Sequence, residues 1–147
     1  MSKEAFGLEV IERYFEDTRR VLRETLCNDE LAPIFRLRRF IDANIRHISR
    51  NDCRNGCLFG NLAAEATESS EAIRLRVVQI FAEVEECVAY CLTAAVSAGE
   101  LRKDTKCRDL ASFIVYSLEG SYLMAKALRD PAPVVNFKEL LFSTILR

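Results

Sequence analysis

The sequence predicts a single all-α domain of about six helices, spanning residues 1–147. Apolar residues recur at spacings of three and four along most of the chain, which is the period of an amphipathic helix. Only 5 Gly and 3 Pro occur in 147 residues, too few to supply the turns of an all-β protein. Half of the residues are apolar and 29% are charged, a composition typical of one compact globular domain.

Helix boundaries follow from capping residues and breakers. Ser2 is a suitable N-cap for the first helix, and Pro33 suits the first turn of the second. Ser69 or Ser70 is expected to cap the long fourth helix, which stops before Gly99. The predicted helices cover residues 3 to about 27, 33–48, 58–66, about 70–98, 110–128 and 134–146.

The predicted fifth helix, residues 110–128, is apolar nearly all round. Asp104 or Thr105 is expected to cap it, and Pro131 and Pro133 follow it. A helix without a polar face must be covered on more than one side. Because a chain of this size has few other elements to cover it, we expect a partner chain to supply the second surface.

Few of the residue patterns associated with catalysis occur in the sequence. His47 is the only histidine, which excludes a di-iron site built from two Glu-x-x-His motifs. HExxH, GxGxxG, P-loop and GxSxG motifs are also missing. Lys and Arg together number 21 against 22 Asp and Glu, so the chain lacks the basic excess typical of nucleic-acid-binding domains. The sequence therefore predicts a protein that is not an enzyme, needs no cofactor and holds no metal.

Besides a metal site, which the four-residue spacings of Cys53/Cys57 and Cys87/Cys91 would allow if the two pairs met, the cysteines leave two readings open. Cys57 follows Gly56 at the start of the short third helix, where helix amides are expected to lower a thiol pKa, and Cys53 lies four residues before it as a candidate resolving thiol. The other reading is packing, since Cys87 and Cys91 fall on the apolar stripe of the fourth helix. Without an export signal, reduced thiols and a cytoplasmic location are expected.

Membrane association is not predicted. The longest unbroken apolar run, residues 87–92, is far shorter than the ~20 residues that a spanning helix needs.

Four short motifs occur in a family's order and spacing. Residues 55–65 read Asn-Gly-Cys-Leu-Phe-Gly-Asn-Leu-Ala-Ala-Glu, and residues 98–104 read Ala-Gly-Glu-Leu-Arg-Lys-Asp. Residues 117–121 contain a Glu-Gly step inside the fifth helix, and residues 2–4 read Ser-Lys-Glu. Together they resemble tetracycline-repressor-like (TetR family) regulators, in which Ser-Lys-Glu begins the helix just after the DNA-binding motif. The resemblance covers nearly the whole chain.

The resemblance implies a regulatory half that binds an effector and dimerises. The helix-turn-helix of the family precedes Ser-Lys-Glu, so DNA contact is expected only through a domain that is not part of this chain. The implied effector is a small apolar or amphipathic molecule held in an apolar pocket with a few polar groups. The candidate ligand-binding residues are Phe40, Asn44, His47, Phe59, Phe81, Tyr116 and Glu119.

The last two helices occupy the positions that form the family's four-helix dimer interface. A homodimer is therefore expected, with Gly120 allowing close helix approach. The candidate interface residues are Phe113, Ser117, Gly120, Ser121, Met124, Leu141 and Ile145. A different class of function, a stand-alone helical interaction or thiol-sensing module that does not contact DNA, is the alternative.

Overall fold

The structure, a computed structural model, describes residues 1–146 and contains six α-helices in that range. A 3-10 turn, Arg50–Cys53, follows α2, and a π-helical turn, Leu141–Ile145, follows α6. The helices are α1 (Lys3–Glu24), α2 (Pro33–Ile48), α3 (Leu58–Glu65), α4 (Glu71–Ser97), α5 (Cys107–Leu128) and α6 (Ala132–Leu140). No strand occurs in this part of the chain, so the predicted all-α fold is confirmed.

Serine side chains cap the two helices for which they were expected. The Ser2 hydroxyl accepts a hydrogen bond from the Ala5 amide at 3.1 Å, and Ser70 accepts from the Ile73 amide at 3.2 Å. Each bond satisfies one of the amides that a helix start leaves without a partner. Gly99 follows α4 with a φ of 76°, a left-handed conformation that ends the helix at little steric cost.

The start of α5 differs from the prediction. The helix begins at Cys107, three residues early, and its N-cap Lys106 gives no side-chain cap. The side chains expected to cap it are engaged locally instead: Asp104 pairs with Arg102 at 2.7 Å, and the Thr105 hydroxyl donates to the Arg102 carbonyl. Similarly, α6 begins two residues before the predicted position and passes into the π-helical turn at Leu141.

Two apolar cores lie side by side. The larger involves mainly α2, α4, α5 and α6 and contains fully buried side chains such as Leu37, Leu92 and Ile114. The smaller joins α1, α3 and the first half of α4 around Phe15. Cys57 and Phe81 pack against both cores and so mark the boundary between them.

Two ion pairs hold α1 across α4. Arg19 donates to Glu83 at 3.0 Å, and Arg76 pairs with Glu12. Both guanidinium groups also lie over the Phe15 ring, at 4.5 and 5.5 Å from its centroid. Partly exposed pairs of this kind contribute about 1 kcal/mol or less each, so they hold α1 against α4 only weakly.

None of the helices within residues 1–146 combines the length and apolarity required to cross a membrane.

Candidate ligand-binding site

A cavity of about 430 Å³ lies at the boundary between the two cores. Its walls come from α1, α2, α4 and α5, and the start of α3 contributes Cys57 and Phe59. The volume falls within the range of small-molecule sites. Six of the seven residues predicted for ligand binding line it, namely Phe40, Asn44, His47, Phe59, Phe81 and Glu119.

One polar pair joins α1 to α2 inside the cavity. The Tyr14 hydroxyl lies 2.5 Å from Nε2 of His47, and burial raises the pKa of Tyr14 to about 12. Burial first, and the nearby Arg50 charge second, lower the pKa of His47. The phenol therefore keeps its proton at neutral pH and can donate it to a neutral imidazole, which gives an uncharged polar pair.

The second polar pair joins α3 to α5. Burial raises the pKa of Glu119 to about 7, while a hydrogen bond from the Cys57 thiol acts in the opposite direction. A Cβ atom at Gly60 would collide with the Glu119 carboxylate, so glycine is needed at this position for the carboxylate to lie against α3. Glu119 is thus a group whose charge in the cavity changes near neutral pH.

The predicted lowering of the Cys57 thiol pKa is wrong. Burial and the adjacent Glu119 carboxylate raise it, and the amides of Gly60 and Phe59 do not compensate. Burial also raises the pKa of Cys53, which lies 3% exposed in the 3-10 turn. Because the thiolate is the reactive form, the raised thiol pKa values disfavour a sensing pair at Cys57 and Cys53.

Tyr116 was expected in the cavity, but it lies outside it. Its side chain is 64% exposed and lines a neighbouring, largely apolar groove of about 710 Å³ between α3, α4 and α5. Its hydroxyl is close to Glu85 of α4, which raises the pKa of the phenol. On α5 the cavity is lined instead by Val115, Leu118, Glu119 and Tyr122, at the spacing of one helical face.

Sequence reasoning missed two tyrosines of this site. Tyr14 is adjacent to the apolar stripe of α1, so a position near the core could have been expected. Its partner His47 is 33 residues away, however, and the local pattern does not indicate that contact. Tyr122 was assigned only to the apolar helix, and the structure places its 5%-exposed side chain in the cavity wall, where burial raises its pKa.

The outer face of α5 carries most of the residues predicted for dimerisation. Phe113 and Met124 are about half exposed, and Ser117 and Ser121 are partly exposed. Within residues 1–146, a Cβ at Gly120 would meet no side chain beyond its immediate neighbours within 4 Å, so this side of the helix is open.

The assignment of Leu141 to the interface is wrong within the single chain, because its side chain is fully buried in the larger core. Ile145 is partly buried against the same core. The open face of α5 therefore carries five of the seven predicted interface residues.

The six helices, the cavity between the two cores and the uncovered α5 face are together typical of a helical regulatory domain. The family of tetracyclin repressor-like C-terminal domains matches residues 33–141, and the chain belongs to this family. The predicted TetR-like regulatory domain is confirmed. Members of this family are in general regulators that act as homodimers and bind small-molecule effectors.

Two curated proteins are similar over most of the chain. The HTH-type transcriptional repressor DhaR of Mycobacterium sp. (strain GP1) is 30% identical over 145 residues, which cover 99% of this chain and 71% of DhaR. The transcriptional regulator AcuR of Cereibacter sphaeroides is 31% identical over 136 residues, which cover 92% of this chain and 62% of AcuR. A regulatory protein TetR from Rhodobacter sphaeroides has a similar crystal structure, with a TM-score of 0.86 and 30% identity, covering 91% of this chain and 71% of that one.

Proposed function

We propose that the chain is the effector-binding and dimerisation part of a TetR-like transcriptional repressor, released from DNA by a small apolar or amphipathic molecule. The observation that carries the proposal is the cavity at the boundary of the two cores, with aromatic walls and two polar pairs. The repressor title of DhaR and the regulator title of AcuR support it. As part of this proposal, DNA is contacted by a helix-turn-helix domain and not by helices α1 to α6.

The position of α1 supplies a route from effector to DNA. This helix contributes Tyr14, Thr18 and Val21 to the cavity wall, and its ion pairs with α4 are partly exposed and weak. An effector that fits one position of α1 better than another shifts the population toward that position. A shift from 1:99 to 99:1 requires about a 10⁴-fold difference in affinity between the two states.

The outer face of α5 supports a homodimer. Phe113, Tyr116, Leu123 and Met124 are each about 50–64% exposed, and Leu140 of α6 is exposed as well. Contiguous apolar surface on a helix usually marks an interaction site. A second copy related by a two-fold axis would bring α5 and α6 of both chains together, with Gly120 at the closest approach.

Nile red, a neutral fluorescent dye, tests whether the cavity binds apolar molecules. We expect saturable binding near one dye per chain, and its loss in Ala43→Trp, because Ala43 lines the cavity and an indole would fill it. The matched control is Ala72→Trp, at an exposed position of α4. Unchanged dye binding by Ala43→Trp would show that the cavity is not the effector site.

A further inference from the structure

Three arginines lie along one edge of the cavity. Arg39 and Arg46 of α2 and Arg50 of the following turn line it, at spacings of seven and four residues that keep them on the same side. All three are exposed, and within residues 1–146 none of them forms an ion pair or side-chain hydrogen bond. This stripe therefore keeps its positive charge available at the mouth of the cavity.

The opposite edge does not neutralise the stripe. On α1 the charged residues that line the cavity are Asp17, Arg20 and Glu24, and Asp17 already pairs with Arg20 at 2.9 Å. Within residues 1–146, Glu24 is thus the one α1 carboxylate of the lining without an ion pair, whereas three lining arginines of α2 and the following turn have none. Such an imbalance is local, since the whole chain has a formal net charge of −1.

The inside of the cavity is more apolar than this charged edge. Phe40, Phe59 and Phe81 provide apolar surface, and the polar pairs Tyr14–His47 and Cys57–Glu119 lie deeper than the arginines. The Arg50 charge reaches as far as the Tyr14–His47 pair, where it disfavours the protonated imidazole. A molecule that satisfies both regions has a negatively charged end and an apolar body.

We infer that the effector is an amphipathic anion, whose carboxylate or phosphate group is bound by Arg39, Arg46 and Arg50 while its apolar body lies between the three phenylalanines. This inference rests on the proposed function and adds the chemical class and the orientation of the ligand. Arginine is well suited to either oxyanion, because its planar guanidinium donates two parallel hydrogen bonds to carboxylates and phosphates.

The test compares four probes with the same eight-carbon chain: octanoate, octyl phosphate, octanol and octylamine. Calorimetric titration of the 147-residue chain at pH 7.5 and low salt should give saturable binding of at least one anion, with octanol weaker and octylamine weakest. Added salt should weaken the anion and leave octanol unchanged. The tighter of octanoate and octyl phosphate identifies the oxyanion.

Arginine variants locate the head group. Each of Arg39→Gln, Arg46→Gln and Arg50→Gln should weaken the anion by about 2- to 5-fold, and the triple variant should reduce it to the affinity of octanol. Arg13→Gln, at an exposed position of α1 outside the cavity, is the matched control and should change nothing. Thermal unfolding of the triple variant verifies that it folds, as expected for exposed side chains.

Two results would overturn the inference: neither anion binds more tightly than octanol, or the triple variant binds the anion as the unchanged chain does. Nile red separates this failure from that of the proposed function. If the dye still binds and Ala43→Trp abolishes its binding, the cavity remains the effector site and only the anionic class is wrong.

Discussion

Glu119 lies beside Cys57 and Tyr122 with its carboxyl group largely withdrawn from water, and its ionisation opposes folding. The unfolded chain ionises it near 4.5 and the folded chain near 7. Between these values the folded state binds more protons, so the free energy of unfolding falls as pH rises from about 4.5 to 7. The pKa difference corresponds to about 3 kcal/mol at most.

Replacing Glu119 by Gln should therefore stabilise the protein more at pH 8 than at pH 5. We expect the free energy of unfolding of the variant, relative to that of the unchanged chain, to be about 1–3 kcal/mol higher at pH 8 than at pH 5, because Gln carries no charge into the cavity. Urea unfolding at equal protein concentration measures it. Glu65→Gln, at an exposed position of α3, should show no such gain; an equal gain there would refute the role of burial.

Gly60→Ala offers a second measurement of how the Glu119 carboxylate affects stability. An alanine in a helix is usually more stable than a glycine by about 1 kcal/mol, yet Gly60→Ala must displace the Glu119 carboxylate. We expect a net loss of about 1–2 kcal/mol, typical of overpacking. In the background of Glu119→Ala the same substitution should become neutral or stabilising. A loss that persists in that background would place the strain elsewhere.

Helix α5 has two faces with different surroundings. Its inner face, including Ile114 and Leu118, packs in the larger core, whereas Phe113 and Met124 point outward. Met124→Glu should prevent association, since it would place an unpaired charge in the interface. Sedimentation at tens of micromolar should show a dimer for the unchanged chain and for the exposed-loop control Lys103→Glu, and a monomer for the variant. A monomeric unchanged chain would contradict the homodimer.

Local sequence signals predicted where the helices occur, but they did not predict which face of each helix is buried. The caps at Ser2 and Ser70 depend on residues three positions away; Ser2 was predicted, and Ser70 was one of the two serines expected to cap α4. Met124 and Leu141 are both apolar and belong to the last two helices, yet one is half exposed and the other fully buried. The choice depends on how α5 and α6 pack, which periodicity does not specify.

In the candidate site too, local sequence patterns predicted which residues line the cavity, but not the properties that depend on contacts between distant parts of the chain. Six of the seven residues predicted for ligand binding line the cavity, because the resemblance placed them in the correct helices. The protonation of Cys57 could not be found this way, because Glu119 lies 62 positions further along the chain and determines it together with burial. A helix N-terminus lowers a thiol pKa only where desolvation and a neighbouring carboxylate do not outweigh it.

The distribution of charge over the chain determines whether these residues alone can bind DNA. Arginines and lysines number 21 against 22 acids, and several arginines, such as Arg19, Arg76 and Arg108, are paired with carboxylates. Specific DNA recognition needs both an extended basic surface and an element that reaches the base edges. The unpaired stripe at Arg39, Arg46 and Arg50 is short and borders a cavity.

The 147-residue chain is therefore expected not to bind duplex DNA in a sequence-selective way. Fluorescence anisotropy with labelled duplexes should show weak binding at most, in the non-specific range of about 10⁻⁴–10⁻⁶ M, equal for unrelated sequences and abolished by moderate salt. The triple Arg→Gln variant at 39, 46 and 50 should lose even this residual binding, because it removes the unpaired positive stripe. A duplex bound at least tenfold more tightly than a scrambled one of equal length would show that these helices read DNA themselves.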